Sequence, residues 1–169
     1  MFIRTARDDR SMKLDGYKLG DLYLAAIKSE AEAAGVYSRL AEAVPEGYMR
    51  HKLRFLASEE KAHRRDLSRL FRRETGKRFF RLPLESPVPM PLICEPRPGT
   101  PVADVVESAM DAENAARRFY LHLSRRYPAG SNEAFLLVFI SNMERGHYLL
   151  LENERAMLEA EANFDNPCP

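Results

Sequence analysis

Two short segments carry residues whose types and spacing could do chemistry: Glu60-Lys61-Ala62-His63 and, 84 positions later, Glu144-Arg145-Gly146-His147. On a helix, residues three apart lie one turn above each other and point the same way, so each segment would offer a carboxylate and an imidazole on one face. Both pairs fall on apolar stripes. The first sits in Met49, Leu53, Leu56, Glu60, His63, Leu67, Leu70, with spacings alternating between four and three. The second sits in Leu137, Ile140, Glu144, His147, Leu151, Leu158. Two more glutamates occupy stripes of the same kind. Glu30 lies among Ile27, Ala31, Ala34, Tyr37, Ala41 and Val44, and Glu113 among Val106, Ala109 or Met110, Ala116, Tyr120 and Leu123.

These stripes define four helices, predicted at about 22–44, 46–75, 102–126 and 132–162. Asp21 and Ser131 are candidate N-caps, Pro45 ends the first helix and Gly76 stops the second. Residues 1–20 and the tail after 162 read as irregular. The short links at Pro45 and at Tyr127–Ser131 make the helices antiparallel within each pair. Residues 76–101 contain seven of the eleven prolines and cannot be helical. They form a long connection able either to cross the length of a bundle or to act as the hinge of a domain swap. Leu84, Val88, Met90, Leu92 and Ile93 are expected to pack this connection onto the helices. The fold class is all-α, two antiparallel hairpins joined by a long Pro-rich crossover, in one domain spanning 1–169.

The halves repeat. Glu30 precedes Glu60 by 30 residues and Glu113 precedes Glu144 by 31, while Tyr37 follows Glu30 and Tyr120 follows Glu113 by seven. Glu30 and Glu60 are equidistant from Pro45, each about 22 Å from the turn at 1.5 Å per residue. The midpoint of Glu113 and Glu144 falls inside the second turn, so the carboxylates of each hairpin are level. His51 and His122 lie nine residues from Glu60 and Glu113, which puts them on outward faces.

Four carboxylates and two imidazoles converging in a core would be costly without compensation. Two divalent ions would neutralise four negative charges, and a donor set rich in oxygen with one His per ion suits iron or manganese better than a thiolate zinc site. Glu60 and Glu144 would then bridge the ions, Glu30 and Glu113 would be terminal ligands, and His63 and His147 would each bind one ion. Tyr37 and Tyr120 could send their hydroxyls to carboxylate oxygens. The competing reading is a metal-free helical bundle used for association, with polar core residues and ordinary core tyrosines. Glu154, seven after His147, is a further candidate near the inward face.

Composition narrows the partners. Twenty-six basic against 25 acidic residues leave a net charge of +1, which argues against nucleic acid. No apolar run is long enough to span a membrane, and the charged N-terminus lacks the apolar segment of a signal peptide, so a cytoplasmic protein is expected. Cys94 and Cys168 form no Cys-x-x-Cys pattern; they read as free thiols, or as a disulfide between tail and connection. The basic stretch from Arg64 to Arg81 suits the C-terminal end of a helix, or the docking of an acidic redox partner.

The segments AIKSEAEAAGVYSRLAE and AMDAENAARRFYLHL, each followed by a helix with Glu-x-x-His, resemble the di-iron domain of the rubrerythrin family in the ferritin-like superfamily. The resemblance covers about 22–75 and 102–160. It implies a ferritin-like four-helix bundle and a centre of two iron ions, or manganese or mixed metal, that reacts with hydrogen peroxide or dioxygen. It also implies a homodimer or higher homo-oligomer, with a domain swap as one arrangement. Peroxidases of the family often carry a rubredoxin-like domain with two Cys-x-x-Cys motifs. This sequence has neither motif, so an external electron-donor protein is expected. Such peroxidases can also offer an extra Glu one turn after the third-helix ligand; here that position is Ala116, and its counterpart is Ala33. The expected activities are peroxide or dioxygen reduction, ferrous iron oxidation, or iron binding and storage without turnover of another substrate.

Overall fold

The computed structural model describes residues 14–164, and they form four helices: α1 Leu19–Ala43, α2 Tyr48–Thr75, α3 Val102–Ser124 and α4 Asn132–Phe164. The order matches the sequence expectation, with shifts at the ends. Helix α1 begins two residues before Asp21. Its N-cap is Lys18, with no side-chain cap, and Asp21 lies in the first turn, where its charge still favours the helix dipole. The predicted stop at Gly76 holds: the residue is left-handed (φ 68°), and its N–H donates to the Arg72 carbonyl at 2.9 Å. Ser131 caps α4 by accepting the Ala134 N–H at 3.2 Å. Residues 1–13 and the tail with Cys168 lie outside the described residues.

Helix α1 packs along α2 and α3 along α4. The hairpins meet through sparser α1–α3 and α2–α4 backbone contacts, and the diagonal pairs approach only through side chains. Two apolar clusters mark the ends of the bundle. One gathers Leu22 and Tyr23 of α1, Leu67 and Phe71 of α2, Phe119 and Leu123 of α3, and Leu137 and Ile140 of α4. The other gathers Tyr37 and Leu40, Leu53 and Leu56, Val105 and Val106, and Leu151. Thus the start of α1 lies beside the end of α3, and α1 and α3 run antiparallel, as do α2 and α4. This is a ferritin-like four-helix bundle whose halves are related by an approximate two-fold axis across its middle.

That arrangement forces the Pro-rich segment to travel the whole bundle. Phe80, Leu82, Val88 and Met90 pack on the first cluster and Ile93 on the second. The expectation fails for two residues. Leu84 is 98% exposed and Leu92 71%, because only some side chains of an extended strand on a convex surface can face it. Arg39 of α1 fastens the segment through paired bonds to Glu95, 3.1 and 2.7 Å, and the Cys94 N–H donates to Ser108 of α3 at 2.8 Å.

Leu67→Ala should lower stability by about 2–5 kcal/mol, the usual range for truncating a buried Leu, since this side chain is fully buried. Leu84→Ala should stay within about 0.5 kcal/mol. Urea unfolding of the two variants tests both.

Candidate metal centre

Between the two apolar clusters the bundle core is polar. Glu30 of α1, Glu60 and His63 of α2, Glu113 of α3, and Glu144 and His147 of α4 are all at most 4% exposed. The helical hairpins bring together all six residues singled out from the sequence. They form two overlapping groups, Glu30–Glu60–His63–Glu144 and Glu60–Glu113–Glu144–His147, each offering atoms within 4.8 Å of one another. Glu60 and Glu144 belong to both. His63 Nδ1 lies 3.0 Å from Glu144, 3.3 Å from Glu60 and 3.7 Å from Glu30. The other half repeats this: His147 Nδ1 lies 2.9 Å from Glu60, 3.3 Å from Glu144 and 3.6 Å from Glu113.

These short separations are not aligned hydrogen bonds. Both nitrogens of each imidazole, both Glu144 oxygens and Glu60 Oε1 are buried with no hydrogen-bond partner. Orphaned polar atoms of this density are costly in a protein interior. The donors point at shared spaces rather than at each other, as ligands around a common ion would. Six oxygen and nitrogen donors with no thiolate fit two hard or borderline divalent cations such as iron or manganese.

The tyrosines cross between hairpins. The Tyr37 hydroxyl on α1 donates to Glu113 on α3, and the Tyr120 hydroxyl on α3 donates to Glu30 on α1. Each tyrosine therefore orients the terminal carboxylate of the opposite half, because α1 and α3 run antiparallel. Burial first, and nearby carboxylates second, push both phenols well above their ordinary pKa, so they stay protonated donors.

The carboxylates divide by role. Burial, reinforced by the charges of Glu60 and Glu144, raises Glu30 and Glu113 well above the usual range and favours their neutral acids. Burial acts in the same sense on Glu60 and Glu144, but the flanking imidazoles and a terminal carboxyl outweigh it and hold both below the usual range. Burial opposes protonation of the imidazoles, yet three carboxylates around each win. His63 is raised strongly and His147 is pushed up to about 12. Two carboxylates, two imidazoliums and two neutral acids make a neutral set. Four carboxylates, two neutral imidazoles and two divalent ions make another.

The remaining sequence candidates lie elsewhere. Glu154 is buried, but its carboxylate is paired with Lys52 of α2, outside both groups. His51 is exposed, and the His122 ring is bonded to the Arg118 carbonyl at 2.8 Å. What the sequence did not indicate is the access route. A cavity of about 160 Å³ runs from Glu30, Glu60, Glu113 and Glu144 past Ala33, Val36 and Ala116, and its mouth is edged by Leu92, Ile93 and Glu95 of the crossover.

A family model described as rubrerythrin matches residues 21–155. Among solved structures, a hypothetical protein from Pyrococcus furiosus is similar at 29% identity, over 88% of this chain and 94% of that one, with a TM-score of 0.75. No curated protein matches the chain significantly.

Two expectations follow from this geometry. Loading two divalent ions at neutral pH should expel about four protons, two from imidazoliums and two from carboxylic acids. Protons and metal then compete, so affinity falls as pH is lowered. Calorimetric titration with ferrous or manganous ion in buffers of differing ionisation enthalpy counts the protons, and a release near zero would contradict the scheme. Tyr37→Phe should weaken metal binding about 10–100-fold by freeing Glu113, and Tyr120→Phe should do the same through Glu30; competition with a chelator measures each.

Proposed function

The chain belongs to the rubrerythrin family, and on that premise we propose that it is a di-iron carboxylate redox protein that reduces hydrogen peroxide or dioxygen, with oxidation of ferrous iron as the linked half-reaction. The observation that carries this reading is the pair of overlapping ligand groups sharing Glu60 and Glu144, at the closed end of a small cavity. When bound, the metal pair supplies the redox chemistry. His63, Glu30, His147 and Glu113 would hold the two ions, and Glu60 and Glu144 would serve both.

The rest of the site supports a small substrate. A cavity of about 160 Å³ is below the 300–1,000 Å³ common for drug-sized ligands, and it suits an oxidant of two oxygen atoms. Ala33, Val36, Ala116 and Ile93 give it an apolar wall that limits water around the ligands. Tyr37 and Tyr120 hold the terminal carboxylates in place and keep their own protons. Neither Ala33 nor Ala116 offers a carboxylate, so the six donors form a symmetric set. Electrons would come from a separate donor protein. Lys61, Arg64, Arg65, Arg69 and Arg72 line a basic groove along α2, the helix that carries Glu60 and His63, and this face suits an acidic donor.

Ferrous-loaded protein supplied with peroxide and an external reductant should consume many equivalents of peroxide per chain, and more slowly at high salt if the donor is acidic. Stopped-flow absorption with a peroxide electrode follows both. Consumption that stops at the equivalents of bound iron, with reductant still present, would favour iron binding without turnover.

A further inference from the structure

The two halves of the bundle repeat their ligands but not the walls beside them. Three residues after each terminal glutamate stands an alanine, Ala33 on α1 and Ala116 on α3. Six residues after it the halves part, with Val36 on α1 and Phe119 on α3. Phe119 is fully buried, packs edge-on against Tyr120 at 5.6 Å and fills its side of the centre. The smaller Val36 lines the cavity instead. The room beside the ligands is therefore one-sided, and it exceeds what an oxidant of two oxygen atoms requires. An apolar cavity of about 150 Å³ holds a molecule the size of benzene, and the space here is about 160 Å³. Two ions at the floor would take about 20–30 Å³ of it, counting each as one water-sized probe. Hydrogen peroxide would leave most of the remainder empty.

We propose that the cavity takes a small organic hydroperoxide, R–O–O–H, with its O–O end at the floor of glutamates and R against the apolar wall. The volume sets R at a compact group of about four carbons. This substrate class belongs to the redox reading above and stands on it. Floor and wall differ in the way such a molecule does. Glu30, Glu60, Glu113 and Glu144 lie at the bottom, while Ala33, Val36 and Ala116 form the sides and Pro91, Leu92 and Ile93 the rim. Each methyl group moved from water onto such a wall favours binding about fourfold. The mouth suits an uncharged molecule, because each of its acidic residues already has its counter-charge: Glu32 pairs with Lys28 and Glu95 with Arg39, both at 2.7 Å. In the reaction R–O–O–H takes up two electrons, supplied by the external donor protein, and two protons from solvent. The O–O bond breaks, and R–OH and water leave.

tert-Butyl hydroperoxide and its product alcohol are the probes. tert-Butyl alcohol titrated into the full chain, metal-free and again loaded with zinc, should shift the methyl resonances of Ala33, Val36, Ala116 and Ile93 and saturate, with a Kd of about 1–10 mM. Val36→Phe gives α1 the side chain that α3 has at the equivalent position, and it should raise that Kd about tenfold or more by filling the space. Ala33→Leu fills the same space from a half-buried position and should act alike, so the test holds even if Val36→Phe impairs folding. In the ferrous-loaded chain with reductant, the KM for tert-butyl hydroperoxide should lie about tenfold below that for hydrogen peroxide, and either wall variant should reverse the order. Turnover of hydrogen peroxide with refusal of tert-butyl hydroperoxide would overturn the substrate class and leave the redox reading standing. Consumption of neither would remove the redox reading, and this inference with it. An alcohol that shifts none of these methyls, or binds equally well to both wall variants, would overturn the placement of R.

Discussion

Charge neutrality in a dry space is the constraint on which the rest of this structure depends. Four carboxylates and two imidazoles occupy the middle of the bundle with almost no exposure. Moving ionised groups there from water costs several kcal/mol each unless opposite charge or protons accompany them. The cluster can meet this requirement by sharing out protons among its own members, and two divalent ions would meet it by replacing those protons. Both sets of charges sum to zero, so binding of two ions would not change the net charge of the core. The apolar clusters on either side flank the polar centre, so each end of the bundle has its own core.

The two-fold relation between the hairpins converts a modest sequence repeat into a closed site. Within a hairpin, helix periodicity and turn position suffice to bring two carboxylates level. Between hairpins, the Tyr37–Glu113 and Tyr120–Glu30 bonds do the registering. They are reciprocal because α1 and α3 run in opposite directions. Few backbone contacts join the halves, so these buried bonds hold much of the alignment on the α1–α3 side. On the α2–α4 side, Lys52 and Glu154 make a comparable tie near one end.

Most of the fold and the membership of the cluster were legible in the sequence, for definable reasons. Alternating four–three spacings fix which face of a helix is buried, and residue counts from Pro45 and from the second turn fix height. These two quantities locate Glu30, Glu60, Glu113 and Glu144, and they also exclude His51 and His122. What the sequence could not supply was the lateral placement of one hairpin on the other. For that reason the destination of each tyrosine was open, and Glu154 looked like a candidate ligand. Periodicity turned Glu154 inward, but only packing shows that Lys52 awaits it. The same gap explains Leu84 and Leu92. An extended segment without regular periodicity carries no internal record of which side chains meet the bundle. At the start of α1, Asp21 resembled a cap, yet the helix runs on to Leu19 and Leu14 tucks beneath it, buried, with its carbonyl closing a turn to Tyr17.

The crossover has a consequence for how such a protein can change over time. The residues that hold the cluster lie on four helices, where any shift of register would disturb both halves at once. The mouth of the cavity is edged by Leu92, Ile93 and Glu95, and Arg39 of α1 and Ser108 of α3 latch that stretch from the helix side. The ligands and this part of the cavity's rim thus lie in different parts of the chain. Substitutions in that proline-rich connection, free of helical constraints, can reshape the rim without touching the ligands. Two repeated hairpins alone would be symmetric; the single connection breaks that symmetry and edges the cavity on one side of the centre.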